Sequence, residues 1–409
     1  MTQANRFTWL LILMLSSLPA AAQSRPSLRV GKWFRIDPRA KIQVDLRDFS
    51  PNLPTKEGKF DLNRARFGVE GEVFTQFEYQ AEYEFRETFG GLKSKHPLRD
   101  AYVNFKHFDN AQVQVGKFKV PFSVDELTGD ANLDFVNRSL LADDLAPARD
   151  VGVVVHGQFF QRGLGYEAGG FRTDGENSES SVDTRGGRTY AARVTGMPLR
   201  LLSLPGDWDE VVVGVAAVES KVTEGLSSLR GRTISGDAYF SHVYVQGRRL
   251  RIGTEASWRP GPFSIQSEYV RVSEAREGQS VRADNLPAKI SNGWYITGTW
   301  AVTGESKENG IEPRRPFLTK GIGGVELAAR YEEIRFGSDG TGEQFSSVRA
   351  PNLLVNSDHA WTLGVNWYLN KFARIQINGI QETIGDAERS PIAGRERFRG
   401  GLIRLQFSM

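Results

Sequence analysis

Arginines recur at alternate positions beside acidic or amide residues. Arg64 and Arg66 precede Glu70, Arg249 and Arg251 precede Glu255, Arg330 lies between Glu326 and Glu332, and Arg374 precedes Gln376. A strand sends successive side chains to opposite faces, so each set gathers its charge on one face. Guanidinium groups stay protonated at physiological pH and present a planar fork that matches phosphate or carboxylate oxygens. Several of them around water lower the electrostatic barrier to an anion and replace part of its hydration shell. The longest internal link, Phe118–Arg149, begins beside Lys117 and Lys119 and contains Arg138. The candidate anion path is therefore Arg64, Arg66, Lys117, Lys119, Arg138, Arg249, Arg251, Arg330 and Arg374. The competing role for each is a structural pair with a neighbouring acid.

Other chemistry finds little support. The five histidines are His96, His107, His156, His242 and His359, and none sits in an H-E-x-x-H pattern. There is no G-x-S-x-G elbow and no Walker loop, so a barrel hydrolase is a minor alternative. His156 shares a face with Gln158, which suits a hydrogen-bonded lining residue better than a catalytic one. The chain has no cysteine, which removes disulfides, a thiol nucleophile and cysteine metal sites. A formal charge of +3 is too small to imply nucleic-acid binding. No cofactor or metal is expected.

The elements that must carry the charged rows are strands. From Phe77 to Phe85 every odd position is apolar, and from Gln76 to Glu84 every even one is Gln or Glu. One face is greasy and the other charged, and the pattern recurs in segments long enough to cross a bilayer as tilted strands. Sixteen windows fit, near 40–49, 61–71, 73–86, 98–107, 111–117, 150–160, 163–172, 188–197, 209–219, 248–259, 262–274, 293–303, 322–336, 358–369, 371–383 and 396–407. Long links alternate with tight ones such as Gly71-Glu72, Asp109-Asn110, Gln161-Arg162, Pro260-Gly261 and Asn370-Lys371. Two of the short-side links, Pro198–Trp208 and Gly304–Gly321, are longer than the rest. Short turns on one rim and long loops on the other mark an outer-membrane barrel. A soluble periplasmic all-β binding protein is the alternative, since any one strand suits it.

Delivery and composition agree. Arg6, the apolar run Trp9–Leu18 and Ala20-Ala21-Ala22 form a secretory signal with cleavage expected after Ala22. No later stretch is apolar enough for a spanning helix, and only a closed barrel otherwise satisfies the backbone in lipid. The mean hydropathy of −0.39 suits a barrel in which only alternate residues face lipid. The organisation expected is a signal peptide at 1–22, an N-terminal periplasmic segment at 23–38 and an all-β, antiparallel transmembrane barrel at 39–407. Parity puts Ala65, Phe67, Val69, Leu250, Ile252, Ala256, Trp258, Val325, Leu327, Ala329, Tyr331, Ala373, Ile375 and Ile377 toward lipid. Arg64, Arg66, Glu70, Arg249, Arg251, Glu255, Arg259, Glu326, Arg330, Glu332, Arg374, Gln376 and Asn378 face a polar, water-filled lumen. Trp258, Tyr295, Trp300, Trp361, Trp367 and Tyr368 are expected in interfacial girdles.

The third long loop carries the most specific pattern. Gly116-Lys117-Phe118-Lys119-Val120-Pro121-Phe122 opens it, Phe135-Val136-Asn137-Arg138-Ser139 follows, and Arg149-Asp150-Val151-Gly152-Val153 closes it. Further on come Gly247-Arg248-Arg249-Leu250-Arg251-Ile252-Gly253-Thr254-Glu255, then Gly261–Tyr269, Thr303-Gly304-Glu305 and Asn366-Trp367-Tyr368-Leu369-Asn370. In this order the segments resemble the phosphate-selective porin O and P family, over about 39–407. The resemblance implies a homotrimer of sixteen-stranded barrels in the Gram-negative outer membrane, passing small anions of the phosphate or polyphosphate class. It also implies a third loop, about 118–149, folded inward as the constriction, with an arginine ladder leading to a lysine. Two departures stand out. The loop carries Asp125, Glu126, Asp130, Asp134, Asp143 and Asp144 against Arg138 and Arg149. At the eyelet these acids would repel phosphate and favour a general or cation-preferring pore; pinned to wall arginines they would leave the field positive. Ser408-Met409 also follow Phe407, where such barrels usually end on an aromatic residue.

Overall fold

The computed structural model describes residues 27–51, 60–89, 94–176, 188–202, 210–307, 310–317, 319, 321–340 and 348–409, so the expected signal peptide lies outside the described residues. The strands are β1 (Leu28–Val30), β2 (Phe34–Ser50), β3 (Phe60–Val73), β4 (Phe77–Glu84), β5 (Leu98–Phe108), β6 (Ala111–Lys119), β7 (Arg149–Phe159), β8 (Leu164–Phe171), β9 (Thr189–Gly196), β10 (Val212–Leu226), β11 (Tyr244–Trp258), β12 (Phe263–Arg276), β13 (Leu286–Ala301), β14 (Gly324–Ser338), β15 (Asn356–Tyr368), β16 (Ala373–Ile384) and β17 (Arg397–Ser408). Each of β2–β17 pairs antiparallel with its sequence neighbour, and β17 pairs with β2. The result is the expected closed sixteen-stranded barrel. At the closing seam Asp45 stands opposite Arg404, and the Arg404 guanidinium donates to it at 2.6 and 2.7 Å.

Parity is confirmed on most strands. Phe67, Ile252, Leu327 and Ile377 are exposed on the outer surface, while Arg66, Arg251, Glu326 and Gln376 are buried on the inner one. Three details differ. The barrel begins at Phe34 rather than 39, and β1 pairs with Phe34–Ile36, so part of the expected periplasmic segment is strand. The turn expected at Gly71-Glu72 lies instead at Phe74–Gln76, where Phe74 and Thr75 take positive φ and Val73 pairs with Phe77. Tyr295 and Tyr368 are not girdle residues: both lie in inward rows, and their hydroxyls bond Glu268 at 2.7 Å and Glu326 at 3.0 Å.

The lumen is not wholly polar. Val270 and Val272 on β12, and Ile334 and Phe336 on β14, face inward and are completely buried. They pack with Leu141 and Leu145 of the third loop, and with Leu229, Phe240 and Val243 of the 227–243 loop after β10. Fully burying one such side chain contributes about 1.5–3 kcal/mol. This core explains why two loops fold into the barrel: their leucines and aromatics are covered nowhere else. On this side the expectation of a water-lined wall is corrected.

Candidate functional site: the third loop and the lumen beneath it

The third loop turns inward where β6 ends. Gly116 has φ of 134°, and a Cβ there would stand 2.2 Å from the Ala101 carbonyl oxygen, so only glycine lets β5 and β6 approach this closely. Phe118 then points inward against Tyr102 and Phe171. Phe122, completely buried, lies over Gly253 of β11, where a Cβ would come within 3.2 Å of its ring. Two of the motifs read in the sequence thus meet.

Two short helices follow, α1 (Val124–Leu127) and α2 (Leu140–Leu145). The backbone amides of Val124 and Asp125 at the start of α1 donate to Glu268 of β12 at 3.0 and 2.8 Å. Ser139 caps α2 by accepting from the Ala142 amide, and its own amide and hydroxyl donate to Asp125 at 2.7 and 2.8 Å. The Leu140 amide donates to Glu332 of β14 at 2.6 Å. Arg149, where the loop ends, makes a bidentate pair with Asp100 at 3.0 and 2.9 Å.

The acids of the loop are held. Arg66 donates to Asp130, Arg138 pairs with it at 2.8 Å, and Arg64 lies 3.5 Å from it. Burial opposes ionisation of Asp130, but Arg64, Arg66 and Arg138 outweigh it and keep the carboxyl well below the usual range. Glu126 pairs with Arg138 at 3.1 Å, Asp134 with Lys307 at 2.6 Å and Asp144 with Arg232 at 2.8 Å. Asp143 is exposed, and Asp125, whose carboxylate accepts from Ser139, and Asp134 border the open volume below the loop. Of the two arrangements open from sequence, the second holds for Asp130, which joins two wall arginines; Glu126, Asp134 and Asp144 are matched to Arg138, Lys307 and Arg232 instead.

The nine candidate cations separate accordingly. Arg64 and Arg66 converge on Asp130. Arg138 is buried inside the loop, its guanidinium bonded to the carbonyls of Asp125 and Thr128 as well as to the two acids. Arg249 is clasped by Asp174 and Glu274, and Arg251 by Asp174 and the Leu145 carbonyl. Those three side chains are structural rather than an open wall. The two β11 arginines serve the carboxylate of Asp174, beyond β8, which sequence alone does not bring near. Lys117 is also corrected: it shares the outward row of Val113 and Val115, stands opposite Val151, and reaches the Leu98 carbonyl and Glu176. Lys119 does sit at the base of the loop, bonded to the Glu126 and Thr128 carbonyls. Arg330 bonds Glu332 at 2.9 Å and lies 4.7 Å over the Phe135 ring. Arg374 bonds the Ala131 carbonyl at 3.0 Å and Gln376 at 3.1 Å.

Open volume remains below the loop, toward the short-turn rim. A cavity of about 720 Å³ is lined by Arg39, Lys41, Arg259, Lys307, Arg330, Lys371 and Arg374 against Glu82, Asp125, Asp134 and Glu312. A second, of about 290 Å³, lies against Lys119, Asp130, Arg149 and His156. Arg39, Lys41, Glu82 and Gly129 line both, which places them where the two volumes adjoin. Lys41 stands 3.8 Å from Glu82, and Arg39 pairs with Glu70. Sequence reasoning missed Arg39 because the first window began at residue 40, and Lys41, inside that window, because it was not weighed with the arginine rows; their alternation with Gln43 and Asp45 was the available signal. It also missed the segment after β13, whose Lys307 reaches Asp134 on the loop and Glu326 on the wall at 2.6 Å each. The unusual length of that link was its signature.

A family model for phosphate-selective porin O and P matches residues 34–408, from the first barrel strand to the last. The chain belongs to the phosphate-selective porin O and P family. Porin O of Pseudomonas aeruginosa is 29% identical over 129 residues, which are 30% of this chain and 27% of that protein. The match thus spans about a quarter of that curated relative. Among solved structures, OmpT of Vibrio cholerae in a trimer form has a TM-score of 0.57 at 12% identity, covering 92% of this chain and 100% of that one. The outer membrane channel DcaP of Acinetobacter baumannii has a TM-score of 0.56 at 9% identity, covering 93% and 99%. At such identities these two share the barrel fold. In this family member the third loop folds into the barrel interior, beside the larger cavity. Its family motifs mostly seat the third loop: Phe122 on Gly253, Ser139 on α2, Arg149 on Asp100, and Asn366, whose amide donates to the Asp134 carbonyl at 2.8 Å and to Glu326 at 2.8 Å.

Proposed function

We propose that this porin passes small anions of the phosphate class, with the passage set by Arg39 and Lys41 and flanked by Lys119, Arg330, Arg374 and Lys307. The observation that carries the reading is the pinned state of the third-loop acids. With Asp130, Asp134, Asp144 and Glu126 each matched to a cation, the cationic lining of the lower cavity is not cancelled by the loop above it. Fixed positive groups at a narrow aqueous passage favour anions, and several weak sites in sequence let an ion leave as readily as it enters. A planar-bilayer recording of the purified protein in a salt gradient tests it. A reversal potential of the sign for anion preference is expected; the cation sign would overturn the anion reading and leave a cation-preferring porin.

The finer assignments belong to the same reading: export by a cleaved signal at 1–22, residence in the Gram-negative outer membrane with lipid around the outer wall, and assembly as a homotrimer. A trimer form of a barrel with this fold supports the last. A channel is preferred to a hydrolase because the ring of His156 bonds Asn104 at 3.0 Å and that of His242 bonds the Ser227 carbonyl and Arg230 at 2.7 Å each.

A further inference from the structure

Inside the barrel most arginines are matched to an acid or a carbonyl. On the outer surface of β12 and β14 they are not. Val270, Val272, Ile334 and Phe336 face the lumen, so Arg271 and Arg335, which alternate with them, point outward, and both are exposed. In the ladder both stand opposite Asn292 of β13, one on each side. The three residues form one row across three strands, with the arginine positions about 9.6 Å apart at two strand spacings. Neither guanidinium has a hydrogen-bond or ion-pair partner among the described residues. Glu333 lies one row below, opposite Trp294.

The level of this row in the membrane is fixed by aromatics. Near the short-turn rim Phe263 stacks on Trp300 at 6.0 Å, and Phe317 meets Trp367 at 4.9 Å. Higher on the wall Trp294, Tyr331 and Trp361 run side by side at 5.4 and 4.8 Å. From Trp300 to Asn292 is eight residues of β13, roughly 26 Å along the strand and about 20 Å once tilt is allowed for. The apolar band of such barrels is about 25 Å tall. The arginine row therefore stands just above the upper aromatics, on the long-loop side, where acyl chains give way to headgroups. Arg335 also borders an outward groove of about 470 Å³ with Val355, Ser357, Glu388 and Asp386, the last paired with Arg389 at 2.5 Å.

We propose that Arg271 and Arg335, with Asn292 between them, bind the phosphate of a phosphorylated glycolipid of the outer leaflet, whose acyl chains lie on Trp294, Tyr331 and Trp361. A guanidinium pair matches phosphate oxygens geometrically, and neither arginine forms an ion pair with Glu333 or with any other acid among the described residues. The aromatics beneath, Trp294 beside Glu333 and then Tyr331 with Trp361 one row lower, select an amphiphile: a free phosphate would meet the same donors but leave these rings unused. This site is on the outer wall and independent of which solute the lumen carries.

The test is native mass spectrometry of the detergent-purified protein titrated with lipid A bearing both phosphates, with the same lipid stripped of phosphate, and with inorganic phosphate. The diphosphorylated lipid is expected to be retained over the stripped one, and millimolar inorganic phosphate is expected not to displace it. Substituting Arg271→Gln and Arg335→Gln together should weaken retention at least tenfold, with heat-modifiable gel migration unchanged. Arg397→Gln with Arg399→Gln, outward on β17, should not. Equal retention by the first double variant, equal loss in the second, or displacement by inorganic phosphate alone would each overturn the proposal.

Discussion

Asp130→Asn is the sharpest probe of the loop. The substitution keeps shape and removes the charge that Arg64, Arg66 and Arg138 share. Arg66 keeps Glu84 at 2.8 Å and Glu82 at 3.5 Å, and Arg138 keeps Glu126 at 3.1 Å. Arg64 keeps the side-chain oxygen of Gln43 at 2.6 Å and no other acid. Breaking a buried ion pair from one side costs about 3–5 kcal/mol, and the two retained pairs place this change at the lower end, about 3 kcal/mol. At about 1.4 kcal/mol per factor of ten, the ratio of docked to undocked loop falls roughly a hundredfold. Single-channel recordings should show added open-channel noise and a shift of the reversal potential toward anions. The native protein should approach this behaviour only in acid. Its Asp130 is held below the ordinary carboxylate value, so its contribution is fully present above that value, about 3.9, and is lost as pH falls through the lower folded one. Quiet conductance is therefore expected from pH 7 to pH 5, with noise only below about 4. An Asp130→Asn channel as quiet and as selective as the native one would refute the pinning argument.

Neutralising Lys41 as Lys41→Gln should lower chloride permeability relative to potassium, most at low salt where screening is weak, because it lines both cavities; an unchanged reversal potential would remove it from the path. Arg249→Gln with Arg251→Gln should leave ion preference nearly unchanged yet destabilise the protein by several kcal/mol, since Asp174 loses both cations and keeps, among the described residues, only the Ser220 hydroxyl. Thermal unfolding and a selectivity measurement on that variant separate the structural role from the conducting one.

The barrel was legible because alternation is a backbone property: Phe77 to Phe85 declares two faces whatever lies beyond them. Family pattern likewise revealed the third loop. Partner choice was not legible. Arg249 and Arg374 carry the same parity signal, but one is enclosed by Asp174 and the other borders the cavity, and the difference depends on residues far apart in sequence. Lys117 misled because its spacing of two from Lys119 suggested a shared face, whereas the strand ends at Lys119, where the chain turns into the loop and the Lys119 amine reaches the Glu126 and Thr128 carbonyls. The apolar lumen wall was within reach: Val270 and Val272 break the polar row of β12, and Leu140-Leu141 in the loop require cover.

That wall gives β12–β14 a different solvent history from the rest of the barrel. Over their long-loop halves, at Val270, Val272, Ile334 and Phe336, the inner face is sealed by the loop core, whereas nearer the short turns Ser264, Gln266, Thr297 and Arg330 line the larger cavity. β4–β7 instead border the smaller cavity, through Gln80, Asp100, Gln114 and His156. The third loop is attached at one end to each kind of wall, with Arg149 on Asp100 of β5 and Leu140 on Glu332 of β14. Undocking α2 would wet Ile334 and Phe336, so the loop inherits the rigidity of the strands it covers instead of fluctuating as a surface loop does. The amides of β12 and β14 behind α2 are thus expected to exchange more slowly than those of β4–β7, although both walls anchor the same loop.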